Sequence, residues 1–432
     1  MTKNNTLAFV LGGGEGKRLY PLTRDRAKPS VPFGANFRVI DFVLSNLYNS
    51  GIRKIYVLAQ YESFSLHKHL KNGWYPKFGT GVREFISMLQ PAHGHVERWY
   101  SGTADAIHQN LRYVSEEKPK LVDVFGGDHI YLMDVNQMND FHTDYQADLT
   151  ISAMPVRKEL AANTFGVLIV DKKWQLIGFE EKPTNPTPMP NNPDFCLASM
   201  GNYVFKPDVL MDELVKDAKK DTTRDKEVAQ HHPDNLSTHD FGFDVIPAML
   251  RDGKKILVYN FLDNIIEGMS PEERGYWRDI GNLDQFYEAN MEFRKEKPQL
   301  NLYNPEWGVL TFIESSNPAK FISEGGKKGS GAALDSIVAN GSVIDKCIVE
   351  RSVISYNVTI NPDAKVSDSI LLGYINIGER AVVQKAIIDR GVNVPKGEVI
   401  GLDKAKDKKR GFTISQGGLT VVPRNYKFPG QE

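Results

Sequence analysis

The sequence predicts an α/β domain built on a mostly parallel sheet, followed by a parallel β-helix. Two observations predict the first part. Short apolar runs such as Leu7–Leu11 and Leu121–Phe125 end in glycines, Gly12-Gly13-Gly14 and Gly126-Gly127. Between such runs lie segments with apolar residues spaced three and four apart. A third observation predicts the second part, because beyond about residue 330 the aliphatics recur every six residues.

In chain order, Leu7–Leu11 reads as a buried strand, and Ile40, Val43, Leu44 and Leu47 mark one apolar face of a helix that Gly51 stops. Ile52–Ala59 is a second strand, Ser63–Lys71 a helix, and Leu121–Phe125 and Leu149–Val156 are further strands. Strand, helix and strand in alternation give a parallel sheet that binds ligands outside the carboxyl ends of its strands. The polar stretches Pro183–Pro193 and Lys216–Asp240 read as long surface loops, and Lys295–Pro305 as a linker. In the last part Ile337 and Val343 are six apart, Ile348, Ile354, Ile360, Val366 and Leu372 keep that step, and Val382, Ile388, Val394 and Ile400 resume it after a slip. An amphipathic helix needs steps of three and four, so hexapeptide coils with one aliphatic pointing inward are the expectation.

The chain has 432 residues, 53 Lys+Arg and 54 Asp+Glu, a near-neutral balance that offers no global field for nucleic acid. No apolar stretch approaches the ~20 residues of a membrane span, and the N-terminal apolar segment is too short for a signal peptide. Cys196 and Cys347 are far apart and match no disulfide or metal spacing, as expected of a reduced cytoplasmic protein.

Chemistry concentrates in a few segments. Leu11-Gly12-Gly13-Gly14-Glu15-Gly16-Lys17-Arg18 follows a strand directly. It is neither a Walker A loop, because Leu11 and Arg18 stand where Gly and Ser/Thr belong, nor a dinucleotide fingerprint, because Lys17 stands at the third glycine. Glycines still let backbone N–H groups approach an anion, and Arg18 with Lys28 in Arg26-Ala27-Lys28-Pro29 would neutralise a triphosphate. Asp128, behind two glycines, and the distant Asp279 form a carboxylate pair of the kind Mg²⁺ takes together with phosphate oxygens, although each could equally be a turn or cap carboxylate. Glu181-Lys182 sets a Lys beside a carboxylate, which residue types alone favour as a salt-bridged loop, and Trp99-Tyr100-Ser101-Gly102-Thr103 offers small residues near an aromatic, or simply a helix start capped by Thr103. The pairs His67/His69, His93/His95 and His231/His232 lack partners for a metal site. The run Lys404–Arg410 reads as a solvated face or an effector site.

Taken in order, LGGGEGKRLYPLT, RAKPSVPFG, WYSGTADA, GGDHIY, FEEKP, LASMGNYVF and YWRDIGN, followed by the six-residue repeats, resemble the nucleoside-diphosphate-sugar pyrophosphorylases, and among them the bacterial ADP-glucose pyrophosphorylases (glucose-1-phosphate adenylyltransferases). The resemblance runs from Leu11 into the repeats. It implies a Rossmann-like nucleotidyltransferase domain (1–295), a linker (296–330) and a left-handed parallel β-helix of hexapeptide repeats (331–432). It implies adenylyl transfer from ATP to glucose 1-phosphate, giving ADP-glucose and pyrophosphate at the committed step of bacterial glycogen synthesis. Catalysis would rest on Arg18, Lys28, Asp128 and Asp279. ATP would bind at Leu11, Gly12, Gly13, Gly14, Arg18, Lys28, Gln60, Ser101, Gly102 and Thr103. Glucose 1-phosphate would bind at Tyr100, Gly166, Glu181, Lys182 and Ser199, and Mg²⁺ at Asp128 and Asp279. It also implies a homotetramer with allosteric metabolite effectors and no nucleic-acid or membrane partner. The chain departs from some relatives at Asn36, where they carry an activator-binding lysine, and at Glu15-Gly16-Lys17. Two alternatives stay open: UTP or dTTP as nucleotide, and a non-catalytic regulatory subunit. A β-helix acyltransferase is disfavoured because no histidine follows His239 to act as a base.

Overall fold

The structure is a computed structural model that describes residues 5–14, 16–79, 84–91, 99–190, 192–323, 325 and 330–431. Glu15, His93 and His95 lie outside the described residues.

Among the described residues, nine strands form one sheet. The strand Thr6–Leu11 lies at its centre, parallel to Lys54–Leu58 on one side and Leu121–Gly126 on the other. Phe85–Leu89 continues the parallel order at one edge. Only Phe195–Phe205 and Leu176–Glu181 run against the common direction. Both faces are covered, which is why the central strands read as unbroken apolar runs rather than alternations. Leu7, Phe9, Val122 and Val124 enter one core, Ala8, Val10, Val57 and Phe125 the other.

The helix Val39–Asn49 begins with a capping box in which the Arg38 backbone N–H donates to Asp41 at 2.7 Å, and Gly51 follows it with φ +77°. Its predicted face packs on the sheet, and Val39 and Phe42 bury a second face in the core shared with the β-helix. Asp41 is buried within this helix, where it accepts from His69 Nε2 (2.6 Å), Trp74 Nε1 (2.8 Å) and Thr311 Oγ1 (2.7 Å). That carboxylate ties three segments together and accounts for His69 without a metal.

Two predicted loops differ. Residues 216–240 close the helix Pro207–Ala218, form a short parallel pair, Asp221–Thr222 with Leu236–Ser237, and add the helix Lys226–His231. Asp225 caps that last helix by accepting from Glu227 and Val228 N–H groups, and His231 Nδ1 lies 2.7 Å from the Glu227 carbonyl. The predicted linker 296–330 is not loose. Leu300 and Thr311 are buried, Leu310 N–H donates to Ser45 Oγ at 2.8 Å, and Lys320–Ile322 is already the first β-helix strand.

In the β-helix, parallel strands stack in three sheets. Lys365 pairs with Val382 and Val382 with Val399, a coil of 17 residues in two steps of six and one of five, whereas an earlier coil, Ile337 to Val353 and Val343 to Thr359, takes 16. The predicted phase is correct at Ile354, Ile360, Val366, Ile388, Val394 and Ile400, all buried. It slips at Ile348, which is 39% exposed while Val349 points inward, and at Val343 and Val382, half-buried beside the inward Ile344 and Val383. The five-residue step causes the slip. Leu372 also turns out of the coil, beside inward Leu371, and joins Val353, Ile370, Ile387 and Val421 against Leu19, Leu22, Val31 and Phe33 of the first domain. The basic run Lys404–Lys409 is a helix capped by Asp403, and Arg410 pairs with Glu398 (2.6 Å) and Asp407, so the run serves structure.

One buried polar residue sets a pH dependence. Asp123, mid-strand and fully buried, has its pKa pushed up to about 8, chiefly by burial, with the Asn139 side-chain hydrogen bond opposing. A raised carboxyl pKa means the folded state holds a proton that the unfolded chain releases near pH ~4. This contribution to stability is therefore complete below about pH 4 and is lost as pH rises toward about 8. Asp123→Asn should flatten that fall, raising Tm relative to the parent more at pH 8 than at pH 5 in thermal scans. A parallel pair of Tm–pH curves would refute it.

Candidate active site

The site forms where strand ends open at the top of the sheet. Leu11 ends the central strand, and Gly12 N–H donates to Leu58 O (2.7 Å), so that N–H belongs to the sheet and not to a ligand. The chain then turns back at Gly16, in the left-handed region (φ +61°), where a Cβ would meet Thr23 Cγ2 at 2.9 Å. This turn opens the short 3-10 helix Lys17–Leu19, whose Leu19 is anchored in the interdomain core. A second short turn, Lys28–Ser30, carries Lys28 under the glycine loop.

Asp279 arrives by a different route. Trp277–Asp279 pairs antiparallel with His129–Tyr131, in a register that sets Asp279 opposite His129 and so beside Asp128. Lys28 Nζ lies 2.7 Å from Asp128 Oδ2 and 3.5 Å from Asp279 Oδ1. Burial pulls the Lys28 pKa down, but the two carboxylates outweigh it and leave it raised. Burial likewise pushes Asp128 up, and Lys28 with His129 more than reverses this, holding it well below the ordinary carboxylate range. His129 Nε2 sits 3.5 Å from Asp128 and 3.8 Å from Asp279. The three side chains offer ligand atoms within 4.8 Å of one another, and His129 Nδ1 is buried without a hydrogen-bond partner. A divalent cation fits this donor set.

Two cavities meet here. One, about 320 Å³, is lined by Leu11, Gly12, Gly13, Gly14, Arg18 and Lys28 together with Asp128 and Gly281. The other, about 260 Å³, is lined by Thr103, Gly166, Glu181 and Ser199 and shares Leu11, Gly13 and Asp128 with the first. Gln60 flanks Gly13, its Oε1 accepting from Tyr100 N–H at 2.9 Å. Ser101 and Gly102 lead into the helix Thr103–His108, and a Cβ on Gly102 would strike the His239 carbonyl at 2.2 Å. Thr103 does not cap this helix. Its hydroxyl donates to Asp240 at 3.0 Å and accepts from Phe241 N–H, binding the helix start to the far wall.

Six predicted site residues line neither cavity: Gln60, Tyr100, Ser101, Gly102, Lys182 and Asp279. The Tyr100 ring is buried in the core and its hydroxyl accepts from Asn110 at 3.2 Å. Lys182, 51% exposed with φ +47°, stands at the rim beside Glu181 (3.5 Å). Sequence reasoning missed His129, Phe179, Tyr203, Asp240 and Trp277, which complete the second cavity. His129 and Trp277 lay within quoted motifs, but Asp240 carried no local signal.

Comparison with known proteins assigns the family. Residues 7–296 match the nucleotidyl transferase family, and residues 317–422 match the GlmU-like C-terminal hexapeptide family. Proteins named glucose-1-phosphate adenylyltransferase match nearly end to end. That of Trichlorobacter lovleyi is 46% identical over 97% of both chains. That of Geobacter metallireducens is 44% identical over 97% of both. That of Thermus thermophilus is 44% identical over 99% of this chain and 100% of its own. The chain belongs to the glucose-1-phosphate adenylyltransferase family of nucleotidyl transferases. The second match begins at residue 317, in keeping with a β-helix that starts before the predicted boundary of 331.

Because Lys28 balances both carboxylates, Asp128→Asn should lower kcat by about 10²-fold or more with little change in Tm. Turnover at the parent's rate would remove Asp128 from the chemistry.

Proposed function

We propose that this protein transfers the adenylyl group of ATP to glucose 1-phosphate, releasing pyrophosphate and forming ADP-glucose for α-glucan synthesis. The observation that carries this reading is the pair of cavities joined at Asp128, one basic and glycine-walled, the other lined by Glu181, Ser199 and Gly166. Backbone at Gly13 and Gly14 with Arg18 cradles the ATP phosphates, and Lys28 leaves the carboxylates to bridge them. Gln60, Ser101, Gly102 and Thr103 flank the adenosine. Glu181, Ser199 and Gly166 orient the sugar hydroxyls, and Lys182 reaches its phosphate from the rim. Tyr100 acts from behind, presenting its backbone to Gln60. Mg²⁺ would be held by Asp128 and Asp279 and, when bound, supplies charge neutralisation on the leaving pyrophosphate. In-line attack then needs only alignment and charge compensation, with no covalent enzyme intermediate. The assembled Arg18, Lys28, Asp128 and Asp279 argue against a non-catalytic subunit.

The same reading extends to regulation and setting. A cavity of about 360 Å³ between the two domains is lined by Arg38, Lys68, Arg390 and Arg424, and by Asp25 and Glu314. Its cationic excess suits an anionic metabolite effector. The protein acts as a homotetramer in the cytoplasm. Among the described residues no helix is long and apolar enough to cross a membrane, and both cysteines are buried thiols.

A steady-state screen of ATP, UTP and dTTP with sugar 1-phosphates should show Mg²⁺-dependent pyrophosphate release only with ATP and glucose 1-phosphate. Preference for UTP or dTTP would overturn the nucleotide assignment. In the same assay Lys182→Ala should raise the KM for glucose 1-phosphate about tenfold or more with smaller change for ATP. An unaltered KM would take Lys182 out of the sugar-phosphate site.

A further inference from the structure

We propose that the buried ion pair between Arg26 and Asp389 is a positioning pair through which the β-helix sets the backbone that carries Lys28. The two residues are 363 apart in sequence, and their side chains are 3% and 1% exposed. Arg26 Nη2 meets Asp389 Oδ2 at 2.5 Å. Each group is held again from behind: Arg26 Nε donates to the Leu22 carbonyl (2.9 Å), and Asp389 Oδ1 accepts from Arg390 N–H (2.6 Å). Neither can shift without leaving a buried charge unmatched.

Arg26 stands two residues before Lys28. Between them Ala27 N–H donates to Glu62 O (3.1 Å), and the Ala27 carbonyl accepts from Ser30 N–H and Ser30 Oγ, both at 2.9 Å. Two residues after Lys28, the Ser30 carbonyl accepts from Arg38 Nη1 at 3.2 Å. The turn is thus clamped on both sides of the lysine, and the upstream clamp is anchored in the other domain. Mere cohesion does not require this pair. The interface already buries Leu19, Leu22, Val31, Ile370, Ile387 and Val421 together, and well-packed apolar residues serve cohesion at least as well as a buried ion pair. What the pair adds is direction: a short charge-assisted bond defines where residue 26 sits, and so how Lys28 Nζ reaches Asp128 and Asp279. The inference rests on the reading of Lys28 as a phosphate ligand.

The test is a mutant cycle in the full-length protein. Arg26→Met with Asp389→Asn removes both charges at nearly unchanged volume. The expected result is a cooperative melt near the parent's Tm, a KM for glucose 1-phosphate within about twofold, and a kcat lower by about tenfold or more, as a displacement near 1 Å would cause. In a Lys28→Ala background the same double change should cost less than about twofold further, because both act through one group. Parent-like kcat in the folded variant, or equal losses in both backgrounds, would overturn the proposal. If that variant does not fold, Arg26→Lys with Asp389→Glu, which keeps the pair but alters its span, is read in the same cycle against the same outcomes. Competitive acetylation of Lys28 by acetic anhydride, followed by mass spectrometry, needs no substrate. Its rate relative to Lys295 should rise several-fold in either variant, and an unchanged ratio overturns the proposal even if the parent proves inactive with ATP, a result that would separately sink the functional reading.

Discussion

Two carboxylates held side by side in a partly buried cleft repel each other and need a cation. The site is organised around that constraint. Pairing of Trp277–Asp279 with His129–Tyr131 brings Asp279 to Asp128, and the Lys28 ammonium supplies the compensating charge. Asp128 stays ionised against its burial because of Lys28 and His129. A charge balance of this kind exchanges partners readily. In the proposed reaction, phosphates would draw Lys28 away and the two carboxylates would hold a divalent ion instead.

The loops that carry this balance have little core of their own. Residues 12–31 contain two short 3-10 turns and span much of the basic cavity, yet Leu19, Leu22 and Val31 are fully buried because the β-helix face covers them. Tyr287 Oη donating to the Asp368 carbonyl and Ser415 Oγ donating to Asp284 extend the same junction. The second domain is therefore the wall against which the glycine-rich loop is shaped. Helix Val39–Asn49, buried on two faces and pinned through Asp41, transmits that rigidity to the sheet.

Much of this was legible in sequence. The glycine-rich strand end, Arg18, Lys28, Asp128, Glu181 and Ser199 all face the joined cavities. The failures have physical causes. Tyr100 belongs to a motif but its ring is drawn into the core, where burial and Asn110 hold it. Asp240 reaches the cleft only because Thr103 and the His239 loop meet across it. The six-residue rhythm of the β-helix was visible, but its five-residue step was not, since Ile348 and Val349 are equally apolar and only stacking decides which points inward. The supposed linker looked polar because its few buried residues, among them Leu300 and Thr311, are widely spaced.

By itself the sequence determined the class of each domain, the strand ends on which the glycine-rich loop hangs and the residue types available there, because these follow from local periodicity and from backbone freedom at glycine. Tertiary structure alone decided which charges meet. Asp128 and Asp279 are 151 positions apart, and Arg26 and Asp389 are 363 apart. Their encounters come from strand register and domain docking, which depend on how whole apolar faces pack and leave no mark in the spacing of the charged residues themselves.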